Sequence, residues 1–499
     1  MKREPIIILG VPIDRLTMDQ TVEQIFHLVD CYAHDGRPRL VCTVNADFLT
    51  NTLSWNLRKS SHPELQKILR RADLTTADGM PLVWASRLLG PALSERVTGA
   101  DLVPCIAREA AVRGKSLYLL GGNPGAAEKA AARLQQANPG LKIAGWDSPF
   151  VHIQGMRLPE SYEGDSGIVE KINESGADIL LIAFGNPKQE MWFERNRDRL
   201  KVPVSIGVGG TFDFIAGSVS RAPLWMQNAG MEWLWRLSRD PARLWKRYLI
   251  DLLKIGSLLW PSVFFHQYTR MTTPHGYLKK CKNEIVSRHG SRGAREYLHV
   301  VLPGILDAGS AERIQSLVPR KPAAHLILDF SEVGFADSAG LGIILNIILL
   351  MDASAFGVFF VGLSKGMRKN LRYNRLYDLV SRREYHTLDD ALRALDKADR
   401  NPSLRYELEK NGTRITLRLQ GELCMPDIPH DLVRILSSNR DKSAWEIDLG
   451  GLRFIDSAGI VFLFHLKQAL KEKGKSCSLI RAGGDVARML KVTGARAFL

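Results

Sequence analysis

The stretch that most narrows what this chain can fold into is Ala177–Phe184, an apolar run broken only by Asp178. It ends at Gly185-Asn186-Pro187 and gives way to the helix-compatible Lys188-Gln189-Glu190. An apolar run of strand length with no polar alternation reads as a strand buried on both faces, as in a parallel sheet covered by helices. Gly and Pro stop the strand, and a polar first turn opens the helix. Ligands of open α/β sheets bind in the crevice at the carboxyl ends of such strands. That rim here carries a cation, an amide and an acid together.

The same grammar continues on either side. Leu40–Val44, Lys115–Gly121, Leu141–Gly145, Ile179–Phe184 and Val204–Val208 read as strands, and Met18–His34, Pro63–Arg71, Ala100–Arg113, Pro124–Gln136 and Gly164–Glu174 as helices. This alternation predicts a Rossmann-like α/β domain with a parallel sheet over residues 1–220. A chain of 499 residues exceeds one core, so further domains are expected. The amino terminus runs straight into the strand-like Ile6–Gly10, which leaves no room for a signal-peptide core and predicts a cytoplasmic protein. Six cysteines are widely spaced, without C-x-x-C or Cys/His clusters, so neither a disulfide framework nor a zinc site is expected.

Residues 221–270 differ in kind. Five of the ten tryptophans lie here (Trp225, Trp233, Trp235, Trp245, Trp260), interleaved with Arg221, Arg236, Arg239, Arg243, Lys246, Arg247 and Lys254. Aromatics and cations at helical spacing suit a helical appendage lying in a headgroup layer, with Arg221, Trp225, Arg236, Arg239, Arg243 and Arg247 toward an anionic membrane surface. The longest uncharged run, Ile255–Phe265, has 11 residues and contains Pro261, too short to span a bilayer that needs about 20. The net charge of +15 calls for an anionic partner. With no zinc finger, RNP signature or K-homology loop, nucleic acid is set aside.

A polar, basic linker is expected over 271–295, followed by a repeat. Asp329–Leu341 (D-F-S-E-V-G-F-A-D-S-A-G-L) aligns without a gap to Asp448–Ile460 (D-L-G-G-L-R-F-I-D-S-A-G-I), and Leu298–Asp307 parallels Ile415–Cys424. Two small α/β domains, over 296–400 and 401–499, account for this.

Several strand-end loops carry chemistry. Thr43-Val44-Asn45-Ala46-Asp47 follows one strand, and Asp78-Gly79-Met80-Pro81 forms a tight turn around a lone carboxylate. Glu95-Arg96-Val97-Thr98-Gly99 adds a cation and a hydroxyl, while Gly121-Gly122 and Gly209-Gly210-Thr211, with Asp213 beyond, suit a diphosphate at close approach. No D-x-D pair is set to hold Mg²⁺, so leaving-group charge would fall to arginines, lysines and amide dipoles.

Taken in order, T-V-N-A-D-F-L, T-A-D-G-M-P, E-R-V-T-G-A-D-L, L-G-G-N-P-G, F-G-N-P-K-Q-E-M-W, G-V-G-G-T-F-D-F-I-A-G and R-A-P-L-W-M-Q…G-M-E-W-L-W-R-L resemble the WecG/TagA/CpsF glycosyltransferase family over about 250 residues. The resemblance implies metal-independent, cofactor-free, inverting transfer of an N-acetylmannosamine-type sugar, or its uronic acid, from UDP. The implied acceptor is polyprenyl-diphosphate-linked N-acetylglucosamine at the inner face of the cytoplasmic membrane. It implies Asp78 as the base, with Thr43, Asn45, Arg96 and Gln189 beside it. The strand-end loops themselves put Gly121, Gly122, Asn186, Lys188, Glu190, Gly209, Gly210, Thr211 and Asp213 at the substrates. The resemblance also implies a basic appendage that holds the membrane and closes over the site, and a precedent for self-association into a homo-oligomer. A free Asp, with a pKa of about 3.9, is a weak base, so geometry has to contribute; Asp47, Asp101 and Asp213 are rivals, Asp101 also reading as a helix cap. One departure is Gly145-Trp146-Asp147-Ser148-Pro149-Phe150 where the family often has D-G-Y-F, which puts sugar or acceptor identity in doubt.

The repeats resemble STAS domains, whose F-x-D-S-x-G-L precedes an apolar helix. In one branch the Ser is phosphorylated by a partner kinase, which maps to Ser338 and Ser457; a well-formed helix cap explains the motif equally. The tandem unit is expected to dock or regulate the transferase. The alternative is a STAS-based signalling protein with a transferase-like nucleotide-sugar sensor. A nucleotide-dependent oxidoreductase is disfavoured by the lack of G-x-G-x-x-G with a trailing acid.

Overall fold

The computed structural model describes residues 4–55, 60–151, 153, 163–272, 285–292, 295–319, 322–354, 356–400, 404–411, 414–423, 444–455, 457–472 and 475–492; the side chains of Arg243, Arg247 and Ser457 are among those outside the description. Two compact units are present, residues 1–290 with 296–388, and residues 291–295 with 389–499.

In the first unit, β1 (Pro5–Ile8) and β2 (Val11–Asp14) make an antiparallel hairpin. The strands β3 (Arg39–Val44), β4 (Leu74–Ala77), β5 (Ser116–Gly121), β6 (Lys142–Asp147), β7 (Ile179–Ala183) and β8 (Val204–Gly207) form one sheet ordered β4-β3-β8-β7-β5-β6. Every pairing in it is parallel. All residues of β3, β4, β7 and β8 are buried, because helices cover both faces. The apolar-run criterion missed β4 because it reads Leu-Thr-Thr-Ala. Those threonines enter the core with satisfied hydroxyls, Thr75 Oγ1 donating to Pro12 O at 2.5 Å and Thr76 Oγ1 to Val97 O at 3.1 Å. The order changes direction after β4, where the chain crosses to β5, and the carboxyl ends around β3 are left open to a ligand.

The strand expected at Ile6–Gly10 exists but stands apart from the main sheet. Successive side chains of a strand face opposite sides. Ile6 and Ile8 accordingly join the core of the main sheet, while Ile7 enters the core of the first repeat. Its partner there is the helix Ser338–Asp352, where a Cβ at Gly342 would collide with the Pro5 carbonyl oxygen. Arg70 strengthens the joint, its Nη1 donating to Asp378 Oδ2 at 2.9 Å, and Arg375 Nη2 donates to Ser54 O at 2.8 Å.

Each repeat is a small α/β domain. In the first, Arg295–Val301, His325–Asp329, Val358–Val361 and Glu384–Tyr385 pair in parallel. In the second, Leu404–Asn411 and Arg414–Leu423 pair antiparallel, and Ala444–Ile455 and Cys477–Ile480 continue in parallel. The D-S-A-G glycines play the same part in both. A Cβ at Gly340 would strike the Leu306 carbonyl, and one at Gly459 the Leu423 carbonyl, which are aligned positions. The expected linker 271–295 contains a strand, Val286–Arg292, while residues 273–284 lie outside the described residues.

Asp337 caps its helix, Oδ1 accepting from Ala339 N and Gly340 N, both at 2.9 Å. Ser338 is only 4% exposed, set against Gly90 of the neighbouring domain, and its Oγ has no hydrogen-bond partner among the described residues. A kinase cannot reach it while the two domains stay packed, so the phosphorylation that the resemblance implies for Ser338 would require them to separate. Ser457 starts the helix Ser457–Glu472, but its side chain lies outside the described residues.

The appendage holds helices Leu224–Asn228, Glu232–Arg239 and Pro241–Thr272, the last running unbroken through Pro261. By length and composition Leu244–Thr272 is sufficient to cross a membrane, contrary to the reading from its uncharged run. Along one side Leu258 and Val263 join the main core, Lys254 Nζ donates to Thr50 O at 2.7 Å, Ser262 Oγ to Tyr373 O at 3.1 Å and Gln267 Nε2 to Leu88 O at 3.1 Å. Leu252, Leu253, Trp260, Phe264 and Met271 are exposed on the rest.

Candidate active site

A cavity of about 300 Å³ opens at the carboxyl ends of β3, β4, β7 and β8, and Thr43, Asn45, Asp78, Gln189, Gly209 and Arg236 are among the residues that line it. Asp78 follows β4, its N–H donating to Val44 O at 2.7 Å. Gly79, at φ +157°, and Pro81 in the first turn then start the helix Met80–Leu89. Burial pushes the Asp78 carboxyl up to about 6; Arg236 opposes this, Glu232 adds to it, and Arg96 and a hydrogen bond from the Gly99 backbone oppose it further. A carboxylate nearer neutrality takes a proton more readily than a free Asp does.

One wall is ionic. Glu232, nearly buried, accepts from Arg96 Nη1 at 3.2 Å and from Arg236 Nη2 at 3.1 Å, with Arg221 Nε at 3.7 Å. Arg221 also grips Asp101 with both terminal nitrogens, at 2.6 and 2.8 Å. Asp101 accepts from Thr98 Oγ1 at 2.7 Å, and Thr98 rather than Asp101 caps the helix Gly99–Arg113. The Arg236 guanidinium lies 5.1 Å from the Phe214 ring centre.

The opposite wall is built of neutral amides. Thr43 Oγ1 donates to Gly207 O at 2.9 Å, joining β3 to β8. Asn45 Oδ1 caps the helix Ala46–Thr52 by accepting from Asp47 N at 3.0 Å and Phe48 N at 3.4 Å. Gln189 Oε1 accepts from Gly185 N at 3.2 Å and Gly209 N at 3.0 Å, tying the loops after β7 and β8 together. A Cβ at Gly207 would run into the Gln189 amide, so that strand end must be glycine.

The model of the WecG/TagA/CpsF glycosyl transferase family matches residues 6–268, more than half the chain. This chain belongs to the WecG/TagA/CpsF glycosyltransferase family. The STAS domain model matches residues 291–391, and the Mlab-type STAS model residues 406–499, so two STAS domains follow the transferase. A curated relative from Bacillus spizizenii, N-acetylglucosaminyldiphosphoundecaprenol N-acetyl-beta-D-mannosaminyltransferase, is 28% identical over 225 residues, which cover 45% of this chain and 80% of the relative.

In the transferase several expected site residues fall elsewhere. Arg221 and Arg236, expected on the membrane, turn inward to the ionic wall. Arg239 stacks over Trp235 at 4.8 Å and Trp225 is exposed, while the Arg243 and Arg247 side chains lie outside the described residues. Gly121 is glycine because β7 passes too close for a Cβ, and Gly122 N donates to Ala183 O at 3.0 Å; neither lines the cavity. Gly209, Gly210, Thr211 and Asn186 do line it, but the Gly209 N–H is already committed to Gln189. Asp213 accepts from Asn123 Nδ2 at 3.0 Å away from the cavity, Lys188 is exposed outside it, and Glu190 is fully buried behind Gln189. Sequence reasoning missed Glu232, the acid in G-M-E-W that gathers three arginines.

Proposed function

We propose that this enzyme is an inverting transferase that moves an N-acetylmannosamine-type sugar, or its uronic acid, from UDP to polyprenyl-diphosphate-linked N-acetylglucosamine in cell-surface polysaccharide synthesis. The observation that carries the reading is the Asp78 carboxyl, raised toward neutrality at a cavity whose far wall supplies arginines. The relative's name supplies the acceptor class. Asp78 takes the acceptor hydroxyl proton as that oxygen bonds to the anomeric carbon. The bond from that carbon to the diphosphate oxygen breaks, and its electron pair leaves with UDP. Arg236, half exposed at the cavity, and Arg96 behind it stabilise the departing charge, a share the sequence reading divided between Arg96 and glycine amides. With arginines in this part the reaction needs no metal, so full activity after EDTA treatment is expected; loss of turnover restored by Mg²⁺ argues against this part.

Our reading extends to location: the appendage holds the enzyme peripherally at the inner face of the cytoplasmic membrane. The helix Pro241–Thr272 is fastened to the protein at Lys254, Ser262 and Gln267, spread over more than three turns, so it lies along the surface and offers its exposed apolar side to lipid. The first STAS domain braces this helix and β1; regulation through the tandem STAS unit remains our reading of its presence. Incubation with UDP-N-acetylmannosamine and the lipid-linked acceptor should give lipid-linked disaccharide and UDP. Donor binding without product would favour a nucleotide-sugar sensor instead.

A further inference from the structure

Behind the cavity sits Glu190, fully buried and without a cationic partner among the described residues. Each of its oxygens accepts one side-chain amide, Oε1 from Gln189 Nε2 at 2.7 Å and Oε2 from Asn186 Nδ2 at 3.1 Å. An ionised carboxylate can only accept, so both amides must turn their N–H₂ groups inward. Their oxygens then face outward. Gln189 Oε1 receives Gly185 N and Gly209 N, and Asn186 Oδ1 receives Asn51 Nδ2 at 2.7 Å. Gly185 and Gly209 belong to the loops after β7 and β8, and Asn51 to the helix that Asn45 caps after β3. One buried group thus sets the direction of the contacts joining three strand ends around the cavity.

We propose that Glu190 is a positioning residue: its carboxylate orients the Asn186 and Gln189 amides and so fixes the Gly185 and Gly209 loops in the geometry the substrates need. The reverse orientation is blocked from both ends, since a flipped Gln189 would aim N–H₂ at two backbone N–H groups and its oxygen at Glu190. Glutamine at position 190 has one acceptor oxygen and one donor nitrogen, so it accepts from only one of the two separately placed amides. Burial pushes the Glu190 carboxyl up to about 7, and the Gln189 and Asn186 contacts oppose that rise. The kinetic side of the inference rests on the transferase reading above; the structural side does not.

The test compares the full chain, Glu190→Gln, and the exchanged pair Gln189→Glu with Glu190→Gln by hydrogen exchange at the Gly185 and Gly209 amides, without substrate. Glu190→Gln alone should speed exchange at both by about tenfold or more and lower kcat/KM comparably, since a buried donor is left unmatched. In the exchanged pair the carboxylate now at position 189 accepts both glycine amides. The side-chain amide now at position 190 donates to that carboxylate while accepting from Asn186. Exchange should therefore return toward the parent rates, which a merely space-filling role would not produce. Parental exchange in Glu190→Gln, or an exchanged pair no better protected than Glu190→Gln (including failure of both to fold), overturns the proposal. If the parent transfers no sugar, the function reading fails while the exchange result still stands.

Discussion

The two walls of the cavity are held by different physics. On the β7–β8 side, Gln189 and Thr43 hydrogen-bond to backbone and Glu190 accepts from the Gln189 and Asn186 side-chain amides, which fixes loops to one another. On the appendage side, Arg96, Arg221 and Arg236 gather on Glu232 and Asp101 in a partly exposed ionic cluster. Buried, fully hydrogen-bonded networks are rigid and specify one geometry, whereas partly exposed ion pairs are weak and exchange partners readily. The rigid wall is suited to position, and the ionic wall to bind and release a diphosphate. Asp78 sits between them and feels charge from the ionic side only.

The largest effect that follows is at that junction. Asp78→Asn removes the proton acceptor but preserves shape, so kcat should fall by about 10³-fold, within the usual range for a general base, while UDP-sugar binding persists. Turnover within tenfold of the parent would show that neither wall serves Asp78 and that another group is the base.

The next effect separates the walls. Arg236→Ala should lower kcat by about 10²-fold, the usual loss for one preorganised charge donor. It should also move the acid limb of the pH profile. In the parent, kcat/KM falls as the pH drops through about 6, because Asp78 gains its proton there and ceases to be a base. Arg236 favours the ionised form, so its loss raises the Asp78 pKa and shifts the limb to higher pH. Asn51→Leu, remote from Asp78 on the amide side, should leave the limb in place. Equal shifts in both variants would erase the distinction drawn here.

The two walls also differ in how far they could be read from sequence. The amide wall was legible because G-N-P-K-Q-E interrupts a buried strand, and an interruption that abrupt places its polar groups at the sheet rim. Which of them touch the cavity was not, since Glu190 and Gln189 are adjacent and only the helix phase decides which faces outward. The ionic wall was legible only in part: the resemblance implied an appendage closing over the site, but Arg221 and Arg236 were assigned to the membrane surface. Interleaved Trp and Arg describe an interfacial helix and a lid folded over a site equally well. The difference lies in the long-range pairs Arg96–Glu232 and Arg221–Asp101, whose partners are more than a hundred residues apart in the chain. The main sheet followed from apolar runs except β4, whose threonines are buried by hydrogen bonds that no single-strand pattern shows. The two STAS domains were visible as a repeat, but the burial of Ser338 depends on Gly90, far away in the chain.

The smallest expected effect concerns what lies outside the ionic wall. If the inward-facing arginines serve the diphosphate, membrane contact must come from the apolar side of Pro241–Thr272 instead of from Arg221 and Arg236. Trp260 and Phe264 are one turn apart and both well exposed there. Replacing both with Ser removes apolar area whose transfer into lipid is favourable by about 1.5–3 kcal/mol per fully buried side chain, less for partial insertion. Partitioning onto anionic vesicles should fall about tenfold, while thermal stability stays near the parent because neither ring supports the core. Arg236→Ala should leave partitioning nearly unchanged. If instead Arg236→Ala releases the protein from vesicles and the Ser pair does not, the arginines reach the headgroups after all, and the inward cluster is a closed state that opens at the membrane.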